Sequence, residues 1–411
     1  MDRNKGIFSL YIHIPFCRRK CSYCDFFSRT PTDASEIETL LSKIVEEFNA
    51  ALKVYPVSDI PTIFIGGGTP SVIPPPLFDR FLNKIEERLP GKPVEWSCEV
   101  NPESLTPAHL DVFQKHGINR LSMGIQSFNS STLETLGRYA KPKDVYRSLE
   151  LIENRWKGSW NADLICEVPG QSRDDALKDI KNLTSWNPSH VSLYSLILEA
   201  GTPLSVQYKR DMDAGIEKGI DQTIWQDCSD LLEVGGWRRY EVSNFAKEDN
   251  ICLHNMIYWE MKPFIGLGPS ASSTMPNPMH GKNSNPLRHT NPLSIREYMS
   301  LDFIKLLVGE IPQYSEVISY TDFLSEFLMM GFRTKRGLDP FRFKKIFGLE
   351  FAHALPSWSA ENIKQAMIEH KDDSWVMTDR GMMFLNTLIL DAMMEIDEKN
   401  EVFRSKSINW P

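Results

Sequence analysis

The sequence predicts an α/β fold, a partial TIM-like (β/α)6 barrel followed by a small, mostly α, winged-helix-like C-terminal domain. Three observations predict it. β-branched segments alternate with segments of helical period from residue 7 to about residue 245. The resulting six or seven βα units imply a parallel sheet with right-handed crossovers, too many for a small open sheet and slightly few for a closed eight-fold barrel. The stretch 274–292, TMPNPMHGKNSNPLRHTNP, concentrates Pro and Asn without any apolar period and precedes a tail of different character. The expected organisation is therefore a barrel over 1–273, a linker over 274–292 and a C-terminal domain over 293–411.

The elements follow in order. Residues 7–14, IFSLYIHI, place Ser9, Tyr11 and His13 on one strand face and Leu10, Ile12 and Ile14 on the other. A helix over 34–52 carries Ile37, Leu40, Leu41, Ile44, Val45, Phe48 and Leu52 at helical spacing, and Asp33 with Glu36 resembles a capping box. Strand 62–66 leads to a helix around Leu77, Phe81, Ile85 and Leu89, and strand 94–100 to a helix opened by Thr106-Pro107 and closed by Gly117. Strands near 120–126, 161–168, 190–198 and 239–245 come next, with helices at 142–155, 172–185 and 216–234. The tail predicts helices at 321–333 and 341–347, a short strand at 374–378 and a final helix through Leu385, Leu388, Ile389 and Met393.

Composition bounds the function. Of 411 residues, 41% are apolar and 24% charged, and no apolar run reaches the ~18 residues of a membrane span, so no integral membrane segment is expected. A formal charge of −8 lacks the basic footprint of general nucleic-acid binding. The seven cysteines are an odd number, and the opening MDRNKGIFSLYIHIP lacks a signal-peptide layout. A reducing, cytoplasmic compartment is expected, where clustered cysteines bind metal or do chemistry.

Directly after the first strand the chain reads Cys17-x-x-x-Cys21-x-x-Cys24. Three thiolates on one short loop suit a soft metal or an iron–sulfur cluster. Structural zinc is the weaker reading, because zinc normally takes four ligands, commonly as two pairs, and Cys98, Cys166, Cys228 and Cys252 form no second CxxC. Three ligands on a four-iron cluster leave one iron open, which is useful only where something exchangeable binds it. The second strand ends in Gly66-Gly67-Gly68-Thr69-Pro70, where missing side chains let backbone N–H groups approach a ligand; a tight strand-to-helix turn explains the run equally well. Polar residues recur near later strand ends as Glu99, Gln126, Arg138 and Asp163, where a ligand above a parallel barrel would be touched.

This cysteine loop and the GGGTP segment resemble those of the radical S-adenosylmethionine superfamily. From YIHIPFC to GLGPSAS at 266–272, and more faintly through the tail, the chain is similar to the subgroup containing oxygen-independent coproporphyrinogen oxidases and haem chaperones. The resemblance implies that Cys17, Cys21 and Cys24 hold a [4Fe–4S] cluster, while Tyr11, Gly67, Gly68 and Thr69 help bind S-adenosylmethionine. Glu99, Gln126, Arg138 and Asp163 match the remaining cofactor contacts, the carboxylates meeting ribose hydroxyls or the methionine amino group and Arg138 pairing a carboxylate. The implied chemistry is one-electron reductive cleavage of the bound sulfonium, and whether this chain performs it is a separate question.

Within the subgroup, the oxidases carry a further cysteine two residues after the third ligand, where this chain has Phe26, and a longer stretch before the cluster loop. His254-Asn255-Met256-Ile257-Tyr258-Trp259 resembles the HNxxYW signature of the chaperone branch, which implies that His254 contacts haem. The plain reading is that His254 bonds a backbone carbonyl and Trp259 packs the barrel's end. Glu167 in CEVPGQ stands where the family usually has glycine, and GLGPSASS lacks a histidine that many relatives carry. The expected function is a haem chaperone that delivers haem to an acceptor haemoprotein, with an electron donor if it is redox-active and a second copy of the chain as a further partner. A coproporphyrinogen oxidase or another radical enzyme acting on a tetrapyrrole is the alternative.

Overall fold

The structure is a computed structural model that describes residues 6–216, 219–248, 250–279, 284–403, 406 and 408–410. The first full strand, β1 (Ser9–Ile14), is buried along nearly its whole length, as a strand covered on both faces must be. Leu10, Ile12 and Ile14 are fully buried in the main core, whereas Ser9 and His13 are buried polar groups. Helix α1 (Ala34–Val54) follows, and the Asp33 side chain accepts from the Glu36 N–H. Only half of the expected capping box forms, because the Glu36 carboxylate turns to the N–H and hydroxyl of Thr32 instead.

The alternation continues as β2 (Thr62–Gly67), α2 (Pro75–Glu86), β3 (Glu95–Val100), α3 (Pro107–Lys115), β4 (Arg120–Gln126), α4 (Pro142–Arg155), β5 (Ser159–Cys166), α5 (Arg173–Ser185) and β6 (His190–Ser195). Strands β1 to β6 pair side by side in sequence order, all parallel. This is the expected six-unit array. Two helices, α6 (Pro203–Asp213) and α7 (Ile224–Val234), come next, where the sequence predicted one over 216–234.

The edges differ from expectation. No parallel strand forms at 239–245: β7 (Asn244–Ala246) runs antiparallel to β6 and pairs on its other side with Arg238–Arg239. The chain leaves α7 through Gly235 and Gly236, the latter at φ +94, directly into this hairpin, with no further helix to carry it back across the sheet. At the opposite edge, helix α8 (Leu253–Trp259) leads into β8 (Phe264–Leu267), which pairs parallel with β1. The sheet then extends antiparallel through β9 (Ser272–Met275), β10 (Leu287–Thr290) and β11 (Ser315–Val317), making twelve strands among the described residues.

The stretch expected as a linker at 274–292 thus contains the end of β9 and all of β10, with Met275 and Leu287 in the main core. Its prolines stand outside the two short strands, which hid the ladder from a periodicity reading. The main core extends to Tyr298, Phe303, Leu306 and Leu307, and a second core takes in Met261 and then runs from Ile318 to Trp410. That second core packs α9 (Tyr320–Phe332), α10 (Pro340–Phe347), α11 (Pro356–Lys364) and α12 (Leu385–Glu398) around a hairpin of β12 (Ile368–Lys371) and β13 (Ser374–Met377). No helix among the described residues is long and apolar enough to cross a membrane.

Candidate functional site

The loop after β1 is fixed by backbone bonds at both ends: the Cys17 N–H donates to Arg29 O at 2.9 Å, and the Ser22 N–H to Leu136 O at 3.0 Å. It presents Cys17, Cys21 and Cys24, all half-buried, on the wall of a cavity of about 1030 Å³. Thr69 Oγ1 stands 3.5 Å from Cys17 Sγ, and Arg138 Nη1 stands 3.6 Å from Cys21 Sγ. Burial pushes the Cys17 and Cys24 thiols up, against the Thr69 hydroxyl at Cys17 and the Phe26 N–H at Cys24. No three His, Cys, Asp or Glu side chains among the described residues stand at the spacing of a single metal ion. A cube offers three separate irons to three thiolates and so takes a wider triangle than one ion does.

The glycine run has a packing reason of its own. A Cβ on Gly66 would lie 2.7 Å from the Glu99 carboxyl carbon, and one on Gly68 would lie 2.6 Å from Phe16 O. Gly67 adopts φ +104, and a Cβ there would strike the His13 ring. The Gly67 N–H is spent on Glu99 Oε2 at 3.1 Å. Gly67, Gly68 and Thr69 nevertheless line the cavity, so their role in the turn does not take them off its wall.

Around this wall the polar side chains form a connected set. Burial raises the Glu99 carboxyl to about 8, Asp163 adds to the rise and the Gly67 N–H opposes it. Burial also raises Asp163, although Ser192, Asn161 and Ser122 hydrogen-bond to stabilise its charge; Asn161 Nδ2 donates to it at 2.7 Å and Ser122 at 3.1 Å. Arg138 donates to Gly124 O at 2.7 Å and to Asn101 Oδ1 at 3.1 Å. Burial works against its charge, but Tyr23, Cys21 and Glu103 outweigh it and hold the guanidinium protonated. Gln126 sits at φ +67, where the β4–β5 register slips by one residue. Tyr11 donates its hydroxyl to His13 Nδ1 at 3.0 Å, because His13 Nε2 must carry the proton given to Phe27 O.

Two buried polar atoms of this set lack a partner, Arg138 Nε and Gln126 Oε1. A buried donor and a buried acceptor left open beside two carboxylates fit a ligand bearing a carboxylate, an amine and hydroxyls. Three thiols next to that set fit an iron–sulfur cluster with an exchangeable corner.

Every residue expected from sequence to hold the cluster, the cofactor or haem lines this one cavity, His254 included. Yet His254 sits at the opposite end from the cysteines, near the first residue of β2, and its ring is sealed. Thr62 gives its hydroxyl proton to Ser9 at 2.8 Å and so accepts from His254 Nδ1 at 2.8 Å. Nε2 then accepts from Tyr258 Oη at 2.9 Å. The ring is 1% exposed, stacks on Phe64 at 5.3 Å, and is pulled down by burial to a pKa of about 3. Both nitrogens bond side chains, which replaces the backbone-carbonyl reading of His254, and a haem contact would have to take Nε2 from the Tyr258 hydroxyl. Cys252 is equally inert, buried against Glu95 with its thiol raised to about 12.

Sequence reasoning missed the floor that holds this segment. Glu95, the first residue of β3, accepts from the N–H groups of Leu253 and His254 at 3.1 and 2.9 Å. Arg120, the first residue of β4, bonds Glu95 at 2.9 Å and the carbonyls of Asn250 and Ile251 at 2.8 Å each. Opposite charges at the first residues of two adjacent strands were the available signal. Glu167, the unexplained departure, has φ +59 and turns its carboxylate to the Ser195 hydroxyl and the Trp225 N–H at 3.1 Å. That left-handed backbone is one glycine adopts most freely, and the carboxylate caps the start of α7 rather than turning into the cavity.

The family comparisons agree with this geometry. The model of the Radical SAM superfamily matches residues 11–183, and that of the HemN C-terminal domain matches residues 318–384, the latter starting at Ile318 of the second core. The chain is 31% identical to Heme chaperone HemW from Buchnera aphidicola, over 93% of this chain and 97% of that one. The chain belongs to the HemW family of radical SAM proteins. Heme chaperone HemW from Escherichia coli is likewise 31% identical, over 93% of this chain and 97% of the relative. Among solved structures, coproporphyrinogen III oxidase (HemN) from Escherichia coli superposes with a TM-score of 0.73 at 21% identity, covering 96% of this chain and 91% of that one. That likeness establishes the fold: a barrel sheet with a helical C-terminal domain.

Proposed function

We propose that this chain is a haem chaperone that carries a [4Fe–4S] cluster and S-adenosylmethionine, binds haem and passes it to an acceptor haemoprotein. The observation that carries the reading is the gathering of Cys17, Cys21 and Cys24 with Glu99, Gln126, Arg138 and Asp163 on one cavity, in a chain that matches heme chaperones over nearly its full length. Cys17, Cys21 and Cys24 hold the cluster, and Tyr11, Gly67, Gly68 and Thr69 flank the methionine part of the cofactor. Arg138 turns its open Nε toward the cofactor carboxylate, and Gln126 offers Oε1 to a hydroxyl or the amine. Glu99 and Asp163 take ribose hydroxyls or the methionine amine, and a cationic amine favours their charged forms. When bound, the cluster supplies a low-potential electron to the sulfonium.

Phe26, 71% exposed on the cavity wall, supports the chaperone over the oxidase, since the oxidases place a further cysteine there. The partners in this reading are haem, an acceptor haemoprotein, an electron donor and a second copy of the chain, all met in the cytoplasm. Anaerobic protein with reconstituted cluster, S-adenosylmethionine and a reductant is titrated with haem and separately given coproporphyrinogen. The reading expects stoichiometric haem binding and no protoporphyrinogen. Catalytic decarboxylation would assign the chain to the oxidases instead.

A further inference from the structure

A strained turn aims Gln126 at the cavity of the cysteine loop. Gln126 ends β4 at φ +67, a conformation that a residue with a Cβ rarely holds unless its surroundings impose it, and the β4–β5 register slips at the same place. Its amide lies over Gly124: a Cβ on that glycine would stand 2.9 Å from Gln126 Nε2, 2.7 Å from Asn101 Oδ1 and 3.5 Å from Arg138 Nη2. The unpartnered Oε1 of Gln126 thus shares one stretch of the wall with the Arg138 guanidinium.

The group that anchors this turn lies off the cavity. Asp179, on α5, is 5% exposed and is not one of the lining residues. Its Oδ2 accepts from the Ser127 hydroxyl at 2.5 Å and its Oδ1 from the Phe128 N–H at 2.9 Å, the two residues that directly follow Gln126. Ser127 Oγ in turn accepts from the Asn129 N–H at 2.9 Å, and the Asn129 side chain caps the short helix Ser130–Thr135. Beyond that helix the Leu136 carbonyl takes the Ser22 N–H of the cysteine loop, and Arg138 enters the cavity. Burial raises the Asp179 carboxyl to about 6, although both donors favour its charge, so it is ionised above neutral pH. An ionised carboxylate in a core is costly unless its oxygens are engaged, and both of these are spent on one turn.

We propose that Asp179 is a positioning residue for S-adenosylmethionine: by holding Ser127 and Phe128 it keeps Gln126 in its left-handed turn, with the amide oxygen facing the cofactor. This rests on the cofactor reading above and adds to it a residue that touches neither cluster nor ligand. Without the carboxylate, the Ser127 hydroxyl and the Phe128 N–H lose their acceptor inside the core. Gln126 is then free to relax to negative φ, which swings its side chain away from Gly124 and Arg138. Asp179→Asn keeps an acceptor for the Phe128 N–H and loses the one for the Ser127 hydroxyl, so it preserves half of the anchor.

The test is a cycle of S-adenosylmethionine affinities, measured on full-length, anaerobically reconstituted protein for wild type, Asp179→Ala, Gln126→Ala and the double variant, with melting temperatures of the same samples. Asp179→Ala is expected to weaken binding about tenfold. The double variant is expected to bind no more weakly than Gln126→Ala alone, because one residue acts through the other. Asp179→Asn, expected to lose a few-fold, carries the test where Asp179→Ala does not fold. Ile44→Ala, which opens the main core on α1, lowers the melting temperature and leaves the affinity at its wild-type value. Wild-type affinity in the Asp179 variants overturns the proposal. So does a loss that adds in full to that of Gln126→Ala, or one that Ile44→Ala reproduces. Each of these leaves the cofactor reading standing, whereas a wild-type protein that binds no S-adenosylmethionine overturns both.

Discussion

The cluster loop and the carboxylates beside it decide the chemistry residue by residue. Replacing Cys21 by Ser removes one of three thiolates, and anaerobically reconstituted protein should lose its brown, oxygen-sensitive absorbance while keeping its far-UV circular dichroism. Glu99 gives a pH prediction. Its folded carboxyl titrates at about 8, above the ordinary value of 4.5, so the native state holds a proton that the unfolded chain gives up earlier. The contribution of Glu99 is present below pH about 4.5 and is lost as pH rises towards 8. In cluster-free protein, Glu99→Gln should therefore melt a few degrees above wild type at pH 8 and level with it at pH 5. These residues were legible in sequence because a short cysteine spacing and strand-end polar groups are local patterns. The sealing of His254 was not, because Thr62 lies 192 residues away in the chain and no spacing reveals that bond.

Among the elements, α8 is held by its connection to the barrel floor more than by its own length. The Glu95–Arg120 pair is almost wholly buried, at 7% and 6% side-chain exposure, and Glu95 also caps the helix. Glu95→Ala strands a buried guanidinium and should cost about 3–5 kcal/mol in urea unfolding, with part of the loss recovered in Glu95→Ala/Arg120→Met. The six parallel strands were readable from sequence because doubly covered strands are runs of β-branched and aromatic residues. β8 to β10 were not. They are four residues each, interrupted by turns and prolines, and their place in the sheet depends on β1, which lies more than 200 residues earlier. The hairpin at 238–246 was misread because a buried edge strand resembles a central one until its direction is known.

At the level of the whole molecule, two cores meet around the end of α8. Met261 belongs to the second core although it lies in the barrel half, and Trp410 Nε1 donates to Met261 O at 2.7 Å. Trp410→Ala should destabilise the second core by about 3–5 kcal/mol, so that limited proteolysis cuts beyond residue 318 before the barrel is touched. The division into a barrel and a helical tail was legible from the change of periodicity, but its position was not, since the sheet runs on to Val317. The two cavities on either side of α8 follow from this docking, one facing the cysteine loop and one facing the tail.

Everything proposed for the barrel depends on an iron cube gripped by Cys17, Cys21 and Cys24 with one corner left for S-adenosylmethionine. Electron paramagnetic resonance of the anaerobically reconstituted, reduced protein, with and without S-adenosylmethionine, tests it most directly. The account predicts a reduced four-iron signal that the cofactor perturbs and that Cys21→Ser abolishes. A closed, redox-silent metal on these thiolates, indifferent to the cofactor, would contradict it.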